Sequence, residues 1–220
     1  MDVYDPKCVG VDLGISNIAV TSDGKFYPND RPYEKSKKKL KKAQRRLSKE
    51  EKGTKGWLEK LSRVKHTYSK VSDHRNRVAD SISKDIVDNN DVIIMERLSV
   101  KGLRHISRDS SMTNMYNDAL LGRLREKISY KALRAGREIV LVDPKGTSQI
   151  CCECGYGVKM DLSDRTFICP RCGNTKDRDL NSSINIRRRG KGTWGGPATP
   201  FRPQRNGSPR RRGRGTGDDV

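Results

Sequence analysis

Apolar positions fall into short continuous runs near the start, the middle and the latter half of the chain. A long stretch in which they recur at helical spacing separates the first two runs. Cys8 to Asp12 (CVGVD) reads as a short apolar strand, and Gly14 to Asn17 turn it. Ile18 to Thr21 returns. Ser22-Asp23-Gly24-Lys25 then makes a hairpin turn before Phe26-Tyr27, which gives a three-strand meander. Across residues 34–90, Leu40 and Leu47 lie a heptad apart and Gly53 and Gly56 interrupt the pattern. Trp57, Leu58, Leu61, Val64, Tyr68, Val71, Val78, Ile82 and Ile86 follow at helical spacing. An antiparallel helical hairpin with a narrow apolar seam is expected. Residues 91–98 (DVIIMERL) form an apolar strand that ends in Glu96. Residues 99–113 lack periodicity and read as a mobile loop, a candidate lid. Residues 115–135 return to a helix with Met115, Leu120, Leu121, Leu124, Ile128 and Leu133 along one side and Gly136 as its C-cap. Ile139 to Val142 is a further strand, closed by Asp143-Pro144. Leu180, Ile184 and Ile186 suggest a short last helix.

Composition limits how much of this can fold. Of 220 residues, 32% are hydrophobic and 34% charged, enough for one modest core but not for a chain folded throughout. From Arg187 the sequence turns to Gly, Pro and Arg with almost no aliphatic residues, and residues 190–220 are expected to be a disordered basic tail. The net charge is +20, which points to a partner of opposite sign, nucleic acid before membrane. No apolar run has transmembrane length, and the opening MDVYDPK is not a signal peptide. A cytoplasmic, nucleoid-associated protein is expected. The segment KSKKKLKKAQRR carries eight cations in twelve residues. An ordinary exposed helix alternates its charges, so a run of one sign fits phosphate binding better than a solvated face. Lys37, Lys38, Lys39, Lys41, Lys42, Arg45 and Arg46 are the candidate nucleic-acid contacts. His66, His74 and His105 share no spacing and are read as surface or core residues.

Two Cys-x-x-Cys pairs, Cys151/Cys154 and Cys169/Cys172, are separated by 14 residues, and glycine follows each second cysteine. This is the spacing of a zinc ribbon: two tight turns offer four soft thiolates to a structural Zn²⁺ ion and are joined by a short hairpin, its strands expected at Gly157–Met160 and Arg165–Ile168. Six cysteines, four of them in this spacing, suit a reducing compartment; Cys8 is read as a core residue and Cys152 as a spare thiol. Three acids also stand out. Asp12 and Glu96 end apolar strands, and Asp179 opens the last helix just past the second cysteine pair. Carboxylates gathered from remote strand ends are hard ligands for Mg²⁺, and two such ions can drive phosphodiester hydrolysis. A meander, a helical excursion, a strand, a helix and a strand fit an α/β, ribonuclease H-like mixed sheet, with the fourth strand beside the first.

Five segments in this order resemble one family: VGVDLGISNIAV, the basic helical stretch, DVIIMERLSVKGL, YKALRAGREIVLVDPKGTSQICCECG, and CPRCG followed by DRDLNSSINI. Together they are similar to the TnpB/OrfB proteins encoded by bacterial and archaeal insertion sequences, relatives of the type V CRISPR effector nucleases. The resemblance covers roughly residues 7–189. It implies a RuvC-like nuclease domain (1–146 and 174–189, with 34–90 as a basic helical insertion) interrupted by a zinc ribbon (147–173). It implies Mg²⁺-dependent cleavage of DNA directed by a guide RNA. It places the catalytic acids at Asp12, Glu96 and Asp179 and the zinc ligands at Cys151, Cys154, Cys169 and Cys172. Family members normally carry further domains ahead of the nuclease. Here the first strand lies within ten residues of Met1, so the chain reads as lacking them. The alternative is a non-cleaving DNA- or RNA-binding zinc-ribbon protein that regulates transposition, with a partner transposase.

Overall fold

The computed structural model describes residues 5–97, 120–161 and 163–193. Five strands form one mixed sheet: β1 (Cys8–Asp12), β2 (Asn17–Thr21), β3 (Phe26–Pro28), β4 (Val92–Glu96) and β5 (Glu138–Val142), in the order β3-β2-β1-β4-β5. The meander of β1, β2 and β3 is antiparallel. β1 runs parallel to β4, pairing Cys8 with Val92 and Val11 with Met95, and β4 runs parallel to β5. The fourth strand thus lies beside the first, as expected. A parallel neighbour needs a long crossover, and helices α1 (Pro32–Leu47) and α2 (Lys55–Asp88) supply it between β3 and β4. Helix α3 (Leu121–Arg134) joins β4 to β5, and Gly136, at φ 65°, follows its end.

Alternation along the strands sends side chains to two faces. Val9, Val11, Ile93 and Met95 pack on Ala79, Ile82, Ile86 and Val87 of α2 and on Leu124, Ile128 and Ala132 of α3. Cys8, Val92, Ile94 and Val142 face the other way, against Ile186 of helix α4 (Arg178–Thr193). Burial on both faces explains why these strands read as continuous apolar runs. Helix α4 comes unusually close. A Cβ on Gly10 would stand 2.1 Å from the Ser183 carbonyl oxygen and 2.6 Å from the Arg187 nitrogen, and one on Gly190 would stand 2.4 Å from Ile94 Cγ2. Gly10 therefore lets helix and sheet backbones touch, and Gly190 makes room for the Ile94 side chain.

The hairpin of α1 and α2 divides its work. Leu40, Val64 and Val71 are buried where the two helices pack, while the C-terminal half of α2 covers the sheet. Thr54 caps α2 by accepting from the Trp57 N–H at 3.2 Å, and Gly53, at φ 95°, makes the turn before it. His74 bonds Asp30 at 2.6 Å and His66 is exposed.

Two expectations differ from the structure. The cysteine segment does not form a hairpin of 157–160 with 165–168. Ile150 instead bridges Gly157, and β6 (Thr166–Ile168) pairs antiparallel with β7 (Thr175–Asp177). The reason is local: each Cys-x-x-Cys-Gly is itself the turn. Gly155 and Gly173, at φ 73° and 74°, donate to the Cys151 and Cys169 carbonyls, so the chain leaving each pair runs back along the chain that entered it. The last helix is also longer than expected and runs through Arg187 to Thr193, because buried Gly190 docks it on Ile94. The loop 99–113, with His105, and Met115 lie outside the described residues, as does the rest of the basic tail.

Candidate active site and metal centre

Sheet alternation and register position the acids. Asp12 follows Gly10, and Glu96 follows Ile94, on the face that α4 covers, one step beyond the Val11–Met95 pair. Both sit at the C-terminal ends of adjacent parallel strands. Asp179 lies in the first turn of α4. Asp177, its neighbour, has another task. Its Oδ1 accepts from the N–H groups of Asp179 (2.9 Å) and Leu180 (3.1 Å) and so caps the helix. Gly14, just past Asp12, faces the Asp179 carboxylate; a Cβ there would lie 3.9 Å from Asp179 Oδ2.

Asp12 feels both of the other acids. Burial, and then the charges of Glu96 and Asp179, push the Asp12 carboxyl well above the usual carboxylate range, with Arg178 the opposing cation. Burial raises Glu96 as well, while a hydrogen bond from Thr147 and the charge of Arg189 counter it. Glu96 and Asp179 are each 9% exposed, so water relieves little of this repulsion. The carboxylates are neighbours without being gathered as tightly as the cysteines. Among the described residues, the four thiols are the one group of three or more potential ligands whose donor atoms all lie within 4.8 Å of one another.

Of those thiols, Cys151, Cys154 and Cys169 pack with buried Phe167, Val158 and Met160, while Cys172 is exposed. Burial pushes the Cys151 thiol up. Hydrogen bonds from the Cys154 and Glu153 N–H groups and from Asn174 outweigh it and bring the thiol down to about 6. Four soft donors at this separation can hold a tetrahedral metal ion. Cys152 stays outside the group, fully buried, with its N–H donating to Asn181 Oδ1 at 2.9 Å.

Two asparagines of α4 tie the cysteine segment to the helix that carries Asp179. Asn181 Nδ2 donates to the Ile150 carbonyl at 2.8 Å. Asn185 Nδ2 reaches the Thr147 carbonyl at 2.9 Å and that of Ile150 at 2.6 Å. Arg189 donates to the Asp143 and Lys145 carbonyls. Residue-type reasoning gave Thr147, Asn181 and Asn185 no role. The signal was their spacing, T-S-Q before the first cysteine pair and D-x-N-x-x-x-N from Asp179. Lys37, Lys38, Lys39, Lys41, Lys42, Arg45 and Arg46 are all exposed on α1, where Lys37 pairs with Glu34 at 3.2 Å. Lys38, Lys41, Lys42, Arg45 and Arg46 line one shallow groove with Ser48 and Lys49. No described helix is long and apolar enough to cross a membrane.

Residues 3–107 match the family model OrfB_IS605, described as "Probable transposase", and residues 122–186 match the model "Cas12f1-like, TNB domain". A Streptomyces pristinaespiralis protein provisionally named an RNA-guided DNA endonuclease is 30% identical over 180 residues, covering 81% of this chain and 44% of its own length. InsQ of Escherichia coli K12, provisionally named likewise, is 28% identical over 191 residues, covering 81% and 48%. The chain therefore spans about half the length of these relatives. Among solved structures, Cas12f1 from its complex with single-guide RNA and target DNA superposes with a TM-score of 0.60 at 20% identity, over 85% of this chain and 51% of that one, a likeness of fold. Two family models that tile most of the described residues, and relatives aligned over four-fifths of the chain, agree with the motif order in the sequence: the chain belongs to the TnpB/OrfB family of insertion-sequence proteins.

Proposed function

We propose that the chain is the nuclease module of a transposon-associated, RNA-guided DNA endonuclease. The reading takes residues 1–146 and 174–189 as a ribonuclease H-like, RuvC-like domain, with 34–90 as its basic helical insertion and 147–173 as a zinc ribbon. The observation that supports it is that Glu96, on the neighbouring parallel strand end, and Asp179, at a helix start, both act on the buried Asp12 carboxyl. The donor chemistry fits hard divalent cations: these are carboxylate oxygens, burial and then the charges of Glu96 and Asp179 raise the Asp12 carboxyl, and a bound cation would offset that strain. Mg²⁺ held there, one ion or two, supplies Lewis acidity at a phosphodiester and lowers the pKa of water. Four clustered thiols fit Zn²⁺ in the same sense, and the asparagines of α4 would carry the order of that segment to Asp179.

The remaining residues bind and orient. The cations of α1 would neutralise phosphates of DNA or of a guide RNA, and Arg178 would hold Asp179 through its 3.5 Å contact. In the non-cleaving alternative the acids would have no chemical task, yet their mutual repulsion would still cost stability. Cleavage of labelled single-stranded and bubble DNA in Mg²⁺, with and without a relative's guide RNA, tests the proposal. Asp12→Ala should lower the rate by about a thousandfold or more, since several kcal/mol of charge stabilisation depend on the site. Cleavage by the variant at the wild-type rate would remove the acids from the mechanism.

A further inference from the structure

Thr147 lies in the seam between the cysteine segment and the carboxylates, and is 3% exposed. Its hydroxyl contacts Glu96 Oε1 and also lies 3.1 Å from the Pro144 carbonyl. A hydroxyl has one proton to give. The ionised carboxylate is the stronger acceptor and the nearer one, so the proton goes to Glu96. On its other side, the Thr147 carbonyl accepts from Asn185, on the helix that begins with Asp179. One residue thus joins the acid of strand β4 to the helix that bears the third acid.

We propose that Thr147 is a positioning residue for Glu96: its hydroxyl fixes one carboxylate oxygen and leaves the other for a cation shared with Asp12 and Asp179. The inference rests on the divalent-cation reading of those acids. The chemistry favours it over a merely local role. The turn at Pro144 is already closed by the Thr147 N–H, at 3.4 Å, and needs no hydroxyl. A nearly buried glutamate on a strand end has several staggered rotamers to choose from, and a charge-assisted hydrogen bond selects one.

The test is a calorimetric titration of the full chain with Mn²⁺, comparing wild type, Thr147→Val and Thr147→Ser. Valine keeps the shape and loses the hydroxyl; serine keeps the hydroxyl. Thr147→Val should bind Mn²⁺ about tenfold more weakly, as expected for one hydrogen bond to a charged group. Its circular dichroism and the metal content of its cysteine site should stay unchanged. Thr147→Ser should restore the affinity to within about twofold of wild type. Should the valine variant fail to fold, Thr147→Ala supplies the hydroxyl-free comparison. Wild-type affinity in the hydroxyl-free variant, or a serine variant as weak as it, overturns the inference while leaving the cation site standing. A wild-type chain that takes up no Mn²⁺ overturns the site reading and this inference together.

Discussion

Cys151, Cys154, Cys169 and Cys172 come from one short stretch and bring their sulfurs within 4.8 Å of one another, whereas Asp12, Glu96 and Asp179 come from β1, β4 and α4 and are neighbours, in a looser group, only because the sheet is folded. The first site is built by two glycine turns with φ near 73°, so its geometry is written in consecutive residues. The second depends on the β1–β4 register and on how closely α4 rests on Gly10. The difference teaches where each site is vulnerable. Disturbing a turn should unmake the thiol cluster and spare the sheet. Disturbing the helix–sheet contact should scatter the acids and spare the thiols. Asn181 and Asn185 hydrogen-bond the cysteine segment to the helix that begins with Asp179.

The largest effect on stability should come from Gly10→Ala. The new Cβ would meet backbone, not a flexible side chain, and overpacking of that kind costs about 3 kcal/mol. Urea unfolding should record the loss while the cysteine site keeps its metal. Unchanged stability would mean that α4 does not rest on β1 as described. Cys169→Ser comes next. It should abolish stoichiometric zinc binding and cost residues 147–177 their hydrogen-exchange protection, with β1 and β4 still protected. Cleavage should fall with the zinc, because Asp179 loses its support. Activity that survives in a zinc-free variant would contradict that coupling.

A smaller effect, of opposite sign, is expected at Asp12. Both Asp12 and Glu96 have raised carboxyl values in the fold, so between the unfolded value near 4 and the folded one the native state binds more protons than the unfolded state. Metal-free stability should therefore fall as pH rises through that interval. Asp12→Asn should flatten the fall and raise the melting temperature of the metal-free chain at neutral pH by a few degrees, while a lower one would show that the acids do not repel. The smallest change in the fold should follow Lys41→Glu with Lys42→Glu on exposed α1. Stability should move by no more than about 0.5 kcal/mol. The slope of log affinity for DNA against log salt should drop by about one for each phosphate that is no longer neutralised. An unaltered slope would remove α1 from the interface.

The same contrast governs what could be read in advance. The strands β1, β2, β4 and β5, the helical hairpin and the cysteine cluster all announce themselves by period or spacing, because each is decided by neighbours in sequence. Asp12, Glu96 and Asp179 could be nominated as acids at element ends, but that Asp12 and Glu96 lie on adjacent strands required the strand order. The paths of the strands within the cysteine segment were misread because a gap of 14 residues suggests one hairpin, while the glycine after each pair makes two. The extension of α4 was missed because Arg187 to Gly190 looks like the start of a basic tail; only packing reveals that Gly190 is an asset against Ile94. Thr147 and Asn185 stand in the T-S-Q and D-x-N-x-x-x-N segments, but what they bond could not be read there, since a hydrogen bond across the fold leaves no period in the sequence.

The most direct test of the carboxylate site is the anomalous difference density of crystals grown with Mn²⁺. The account predicts a peak bounded by Asp12, Glu96 and Asp179. Its loss in Asp12→Ala crystals would tie the ion to that carboxylate. Density that avoids these acids, or persists unchanged in the variant, would contradict the claim that the fold assembles them to hold a cation.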